Sequence, residues 1–134
     1  MYITRRERFS SAHKLFNENI SNDDNDKLFG KCHKLHGHNY ELFITVTGTI
    51  NKISGFVIDL KDLKQIIQNK VIIKLDHQYI NEVDFMKNTI TTTENLCLAI
   101  WNELDQPIKQ LGGKLYKVKI KETENNYFEY FGEK

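Results

Sequence analysis

Proline and cysteine are nearly missing from this 134-residue chain: Pro107 stands alone, and Cys32 and Cys97 are the two thiols. Two cysteines in segments of different character do not make a disulfide framework, so the expectation is reduced thiols in a cytoplasmic protein. No apolar run approaches the roughly 18 residues of a membrane-spanning helix, and the start, Met1 to Glu7, carries no apolar signal core. A charge surplus is missing too. Lys and Arg number 19 against 18 Asp and Glu, a net +1, which is too weak a field to gather nucleic acid or an anionic membrane. The densest basic run, Lys117, Lys119 and Lys121, alternates with apolar residues and reads as the wet face of a strand. With no repeat, low-complexity tract or linker, residues 1–134 are expected to form one domain with its own core.

What is present is patterned. Residues 2–13 alternate as a strand, with Phe9, Ser11 and His13 on one parity and Arg6 and Arg8 on the other. Residues 17–27 are polar and turn-rich, a surface loop or short helix. From His36 the parity is clean: His36, His38, Tyr40, Leu42, Ile44 and Val46 share one face. Asp59 can cap a helix with Leu60, Leu63, Ile66 and Ile67 at helical spacing, ending near residues 70–74. Thr91 and Glu94 fit a capping box for a second helix, with Leu96, Cys97, Ile100, Trp101, Leu104 and Ile108 on one stripe. Pro107 leaves its last turn in question. Gly112 and Gly113 turn the chain into a strand on which Tyr116, Val118, Ile120 and Glu122 share a face, and Asn125 and Asn126 turn it into a final strand over residues 127–131. Order ββααββ predicts an α+β fold, a four-stranded antiparallel sheet with two helices on one face.

The chemistry gathers at residues 32–40, Cys-His-Lys-Leu-His-Gly-His-Asn-Tyr. His36 and His38 project together, and with His13 on interior parity they offer three imidazoles for one metal ion, leaving a fourth position for water or substrate. A structural zinc site recruits several cysteines, whereas here Cys32 alone is near. Gly30, Lys31, His33 and Lys34 surround Cys32 with polar and cationic groups that suit a proton-transferring thiol. Cys97 reads as core, and His33 as a solvated loop residue. Glu122 ends an apolar row, where a carboxylate needs donors, and a guanidine-like NH and NH2 edge of a ligand would match it. Asp76 and His77, taken alone, are a polar turn.

Five segments in this order, Phe9-Ser-Ser-Ala-His13, Cys32-x3-His36-Gly-His38-Asn-Tyr40, Leu75-Asp-His77, Thr92-Thr-Glu-Asn95 and Lys121-Glu-Thr123, resemble the family of 6-pyruvoyltetrahydropterin and 6-carboxytetrahydropterin synthases over nearly the whole chain. The resemblance implies the tunnelling fold (T-fold), in which subunits close a trimeric β-barrel and two trimers stack into a homohexamer with sites between subunits. It implies Zn2+ on His13, His36 and His38, a catalytic Cys32, and a relay pair Asp76 and His77 reaching that thiol from a neighbouring subunit. It implies that Glu122 anchors a pterin ring and that Thr92 and Thr93 line the pocket. The implied substrate is 7,8-dihydroneopterin triphosphate.

Two products are compatible with those motifs: a 6-pyruvoyl pterin after triphosphate elimination, or a 6-carboxy pterin after loss of acetaldehyde and triphosphate, as in queuosine biosynthesis. The three-residue gap between Cys32 and His36 resembles the carboxy enzymes, and the carboxy product is the expectation. Segments 27–32, 91–96 and 115–119 look more like the pyruvoyl branch. A non-catalytic zinc- or pterin-binding protein would need no thiol or relay, and a small zinc hydrolase would need a glutamate base beside the ligands.

Overall fold

A computed structural model describes residues 1–133 of the chain. Strand β1 (Tyr2–His13) pairs antiparallel with β2 (His36–Thr47), from Tyr2 opposite Thr47 to His13 opposite His36. The expected strand boundaries are those observed. Between them the polar stretch forms a short helix, α1 (Asn22–Phe29), capped by the Ser21 hydroxyl, and then a 3-10 turn over Gly30–His33. Strand β4 (Lys114–Lys121) pairs antiparallel with β2, and β5 (Tyr127–Tyr130) with β4.

The sheet has one strand more than expected. Gln78–Tyr79 forms a two-residue β3 that runs parallel to β1, giving a mixed five-stranded sheet of order β3-β1-β2-β4-β5. Two residues are too short a run to show alternation, so hydrophobic period could not reveal it. The sheet is open within one chain, with β3 and β5 at its edges.

Helix α2 (Leu60–Ile67) is capped by Asp59, which accepts from the Lys61 amide. Its helical run ends at Leu75, close to the expected end near residues 70–74, but through a π-helical turn over Gln68–Ile72 that leads into α3 (Ile73–Leu75) and keeps Val71, Ile72 and Leu75 buried. The second long helix, α4 (Thr93–Gln110), runs through Pro107. Its cap is Thr92 rather than Thr91, because the Thr92 hydroxyl accepts from the Asn95 amide. Leu96, Cys97, Ile100, Leu104 and Ile108 are all buried on its inner stripe, and burial pushes the Cys97 thiol up to about 12, with Glu94 adding to the shift. No helix among the described residues is long and apolar enough to cross a membrane.

The core lies between these helices and one face of the sheet, where Phe9, Tyr40, Leu42, Ile44, Val46, Val118 and Ile120 are buried. On β4 the expected parity fails at one residue. The β2–β4 register slips between Thr45 and Val46, so that Val46 pairs with Leu115; Leu115 is 1% exposed and Tyr116 turns outward against Tyr2. Such a bulge adds one residue to one strand and inverts the faces beyond it. Leu115→Ala is expected to cost about 2 to 5 kcal/mol, and Tyr116→Ala no more than about 1 kcal/mol, in denaturant unfolding. Equal costs would contradict the bulge.

Candidate active site

The β1–β2 register builds the histidine cluster. His13 stands opposite His36 and Ser11 opposite His38, so three imidazoles from two strands meet at one end of the sheet. Their ring centroids lie 4.5, 5.1 and 5.3 Å apart, and one ligand nitrogen from each falls within 4.8 Å of the others. A Cβ at Gly37 would stand 3.0 Å from the Ser11 carbonyl oxygen, so glycine lets the two strands close here.

Hydrogen bonds fix which nitrogens face inward. His13 Nδ1 lies 2.7 Å from the Thr91 carbonyl and His36 Nδ1 2.7 Å from the Lys34 carbonyl. A carbonyl only accepts, so each Nδ1 carries the proton and each Nε2 keeps its lone pair, as a metal ligand requires. His13 is 2% exposed, and its buried Nε2 has no hydrogen-bond partner. An orphaned acceptor at the centre of three imidazoles is the donor set a divalent first-row cation takes, so the residues fit a metal ion. Burial lowers the His13 pKa below its ordinary 6.5, opposed by the Thr91 bond and aided by His36 and His38. His38 is lowered for the same first reason, while Glu122 pulls the other way.

Glu122 stands one residue beyond β4, its amide bonded to the Asn126 carbonyl. Thr93, buried in the first turn of α4, donates its hydroxyl to Glu122 Oε2. The carboxylate is thereby held through one lone pair of Oε2, and each oxygen keeps an acceptor site for a ligand. Thr92 is occupied as the α4 cap, so the structure gives it a structural task beside the pocket role expected of it. Glu122, Tyr40, His38 and Asp76 line one cleft of about 770 Å³.

Asp76 and His77 link α3 to β3, along the side of β1 that faces away from β2. The Ser10 amide donates to Asp76 Oδ1 at 2.9 Å, and the His77 amide donates to the Ser10 carbonyl at 2.6 Å. His77 Nδ1 is 3.0 Å from Asp76 Oδ2, and the His77 side chain is 83% exposed. The Ser10 bond, helped by His77, holds the Asp76 carboxyl below its usual value. His77 has φ 59°, a left-handed conformation uncommon outside glycine.

Within one chain, then, His13, His36 and His38 come together, Thr93 bonds Glu122, and Asp76 bonds His77. Cys32 is exposed on the 3-10 turn and lies outside both the triad and the residues lining the cleft. His33 is not the solvated residue expected, since its Nδ1 donates to Asp26 Oδ1 at 2.5 Å and its side chain is largely covered. Sequence reading missed the supporting contacts of Thr91 and Ser10, which act through backbone atoms and leave no side-chain signal. It also missed the unpaired hydroxyl of Tyr40, although parity had placed that residue on the correct face.

Comparison with known proteins gives one family. The family model described as 6-pyruvoyl tetrahydropterin synthase matches residues 2–133. A 6-pyruvoyl tetrahydrobiopterin synthase from Dictyostelium discoideum is 44% identical over 132 residues, covering 98% of this chain and 96% of the relative. A putative 6-carboxy-5,6,7,8-tetrahydropterin synthase from Archaeoglobus fulgidus is 37% identical over 99 residues, covering 74% of this chain and 77% of the relative. The solved structure of Caenorhabditis elegans 6-pyruvoyl tetrahydropterin synthase superposes with a TM-score of 0.91 at 35% identity, covering 99% of this chain and 96% of that one.

The lowered histidines set a pH dependence for the metal-free protein. The unfolded chain takes up protons near 6.5, whereas folded His13 and His38 do so only at lower pH. Stability is therefore complete above that value and declines as pH falls through the folded values. Thermal melting of metal-free protein between about pH 7.5 and 5 should show the midpoint falling with pH below about 6.5. A flat profile would contradict the burial of neutral His13.

Proposed function

Because the chain belongs to the 6-pyruvoyl tetrahydropterin synthase family and has its tunnelling fold, we propose that it is a zinc-dependent lyase acting on 7,8-dihydroneopterin triphosphate. The observation that carries this reading is the joining of two features: the orphaned Nε2 of His13 within the triad, and Glu122 held by Thr93 near the same histidines. Zinc on His13, His36 and His38 would act as a Lewis acid on the substrate's side-chain oxygens and acidify the adjoining C–H.

The chain's own groups account for recognition and proton movement. Thr93 fixes the orientation of the Glu122 carboxylate through one lone pair of Oε2, which leaves an acceptor site on each oxygen for the NH and NH2 edge of the ring. The Cys32 thiol, exposed on its turn, moves the proton released from the side chain. Asp76 Oδ2 accepts from His77 Nδ1, which leaves His77 Nε2 as the exchanging nitrogen. In this reading His77 serves the thiol of a neighbouring subunit, in a homohexamer whose barrels form from the open sheets. The outward exposure of His77, and a cleft lined by Asp76 but not by Cys32, support that arrangement.

For the product, likeness over the full chain favours the pyruvoyl form, since the Dictyostelium and C. elegans proteins that span it carry that name. The carboxy product, expected from the Cys32–His36 gap, retains that gap and the partial archaeal relative in its support. Incubation of zinc-loaded protein with dihydroneopterin triphosphate should give a 6-pyruvoyl pterin by mass analysis and no acetaldehyde. Acetaldehyde would establish the carboxy branch, and no turnover would favour a binding protein.

Cys32→Ala should retain zinc and lower turnover by about 10²- to 10⁴-fold. Full turnover in that variant would remove Cys32 from the mechanism. Chelation should abolish turnover, and zinc should restore it.

A further inference from the structure

Strand β3 stops pairing with β1 early. Its register puts Gln78 opposite Ser11 and Tyr79 opposite Ala12, and the chain then leaves the sheet in a 3-10 turn over Ile80–Glu82. Continued by two residues, the parallel ladder would have set a backbone amide beside Lys14. The Asn81 side chain supplies one instead. The Lys14 amide donates to Asn81 Oδ1 at 3.0 Å, and Asn81 Nδ2 donates to the Lys14 carbonyl at 2.8 Å. A primary amide carries the donor and the acceptor of a peptide group, so one side chain replaces the missing strand.

Lys14 directly follows His13, and the same contacts continue to the imidazole. The Thr91 hydroxyl lies 3.3 Å from the Lys14 carbonyl oxygen and 3.3 Å from Asn81 Oδ1, donating toward both. The Thr91 carbonyl in turn accepts from His13 Nδ1 at 2.7 Å. Residues 13, 14, 81 and 91 thereby close a ring of covalent and hydrogen bonds. Both supports of the imidazole belong to it: the backbone that carries His13, and the carbonyl that sets its tautomer. His13 and Thr91 are each 2% exposed, so little solvent reaches a bond that the ring loses. A ligand imidazole needs a fixed direction as well as a lone pair, and the groups that hold its other nitrogen set that direction.

We propose that Asn81 is a positioning residue of the metal site, acting through Lys14 and Thr91 to aim His13 Nε2 at the point where His36 and His38 converge. This rests on the reading of the triad as a metal site. Asn81 itself touches neither metal nor substrate in this scheme.

The test measures zinc affinity of metal-free protein by competition with a chelating indicator, alongside thermal melting, for wild type, Asn81→Ala, Thr91→Val and Leu115→Ala. Asn81→Ala should bind zinc about tenfold more weakly, the low end of what outer hydrogen-bond partners of a ligand histidine contribute. Thr91→Val keeps the shape and the carbonyl but not the hydroxyl, and should bind about threefold more weakly. Leu115 pairs with Val46, at the far end of β2 from His36. Leu115→Ala should therefore melt lower yet hold zinc within about twofold of wild type. That contrast separates positioning from general stability. Wild-type affinity in Asn81→Ala would overturn the inference whatever its melting temperature, and if that variant does not fold, wild-type affinity in Thr91→Val would overturn it. Equal weakening in Asn81→Ala and Leu115→Ala would overturn it too, by tracing the loss to stability. Wild type that binds no zinc would overturn the metal reading and this inference with it.

Discussion

The pairing of β1 with β2 is the constraint on which everything else in the molecule depends. Twelve residues of each strand run opposite one another in a single register. A slip of one residue would send every side chain to the other face, so the alternation that buries Phe9, Tyr40, Leu42 and Ile44 also decides where His13, His36 and His38 point. The site inherits its geometry from the core. No loop has to be ordered to assemble the triad, and a mutation that shifts the register would lose the core and the histidines together.

The start of α4 is the second point of convergence, and it uses three consecutive threonines differently. The Thr91 carbonyl sets the tautomer of His13, the Thr92 hydroxyl caps the helix, and the Thr93 hydroxyl holds Glu122. Two chemically unlike groups, an imidazole from β1 and a carboxylate from beyond β4, are thus referred to one helix terminus. Rigid packing of α4 through Leu96, Cys97 and Ile100 makes that terminus a fixed reference. The electrostatics agree: burial lowers His13 and His38 and favours their neutral, lone-pair-bearing forms, while the negative charge of Glu122 works against that lowering at both.

Much of this was legible in the sequence, and the exceptions have physical causes. Alternation from His36 to Val46 gave strand and face together, because β2 is the central strand and half of it must be buried. Alternation misled on β4, where Tyr116 looked inward, because a bulge adds a residue without any local signal. Thr91 and Thr92 are chemically equal as caps, and only tertiary contact with His13 decides between them. Strand β3 exists through its pairing with β1 and has no pattern of its own. His33 was read from its loop and not from Asp26, seven residues earlier, which a helical turn brings to it.

Asp76 and His77 show the limit of what one chain can complete. The His77 backbone is held by the Ser10 carbonyl in a conformation that costs a non-glycine residue of order 1 to 3 kcal/mol. The imidazole so positioned is 83% exposed, so the arrangement adds little to the core of its own subunit. Strain that packing does not recover is better explained by presentation of the ring to something outside. On the proposed reading that is the thiol of an adjacent subunit, and the open edges at β3 and β5 are where such a neighbour would extend the sheet. Folding and assembly would then be separable: the triad and Glu122 form with the monomer's core, and proton relay arises only with association.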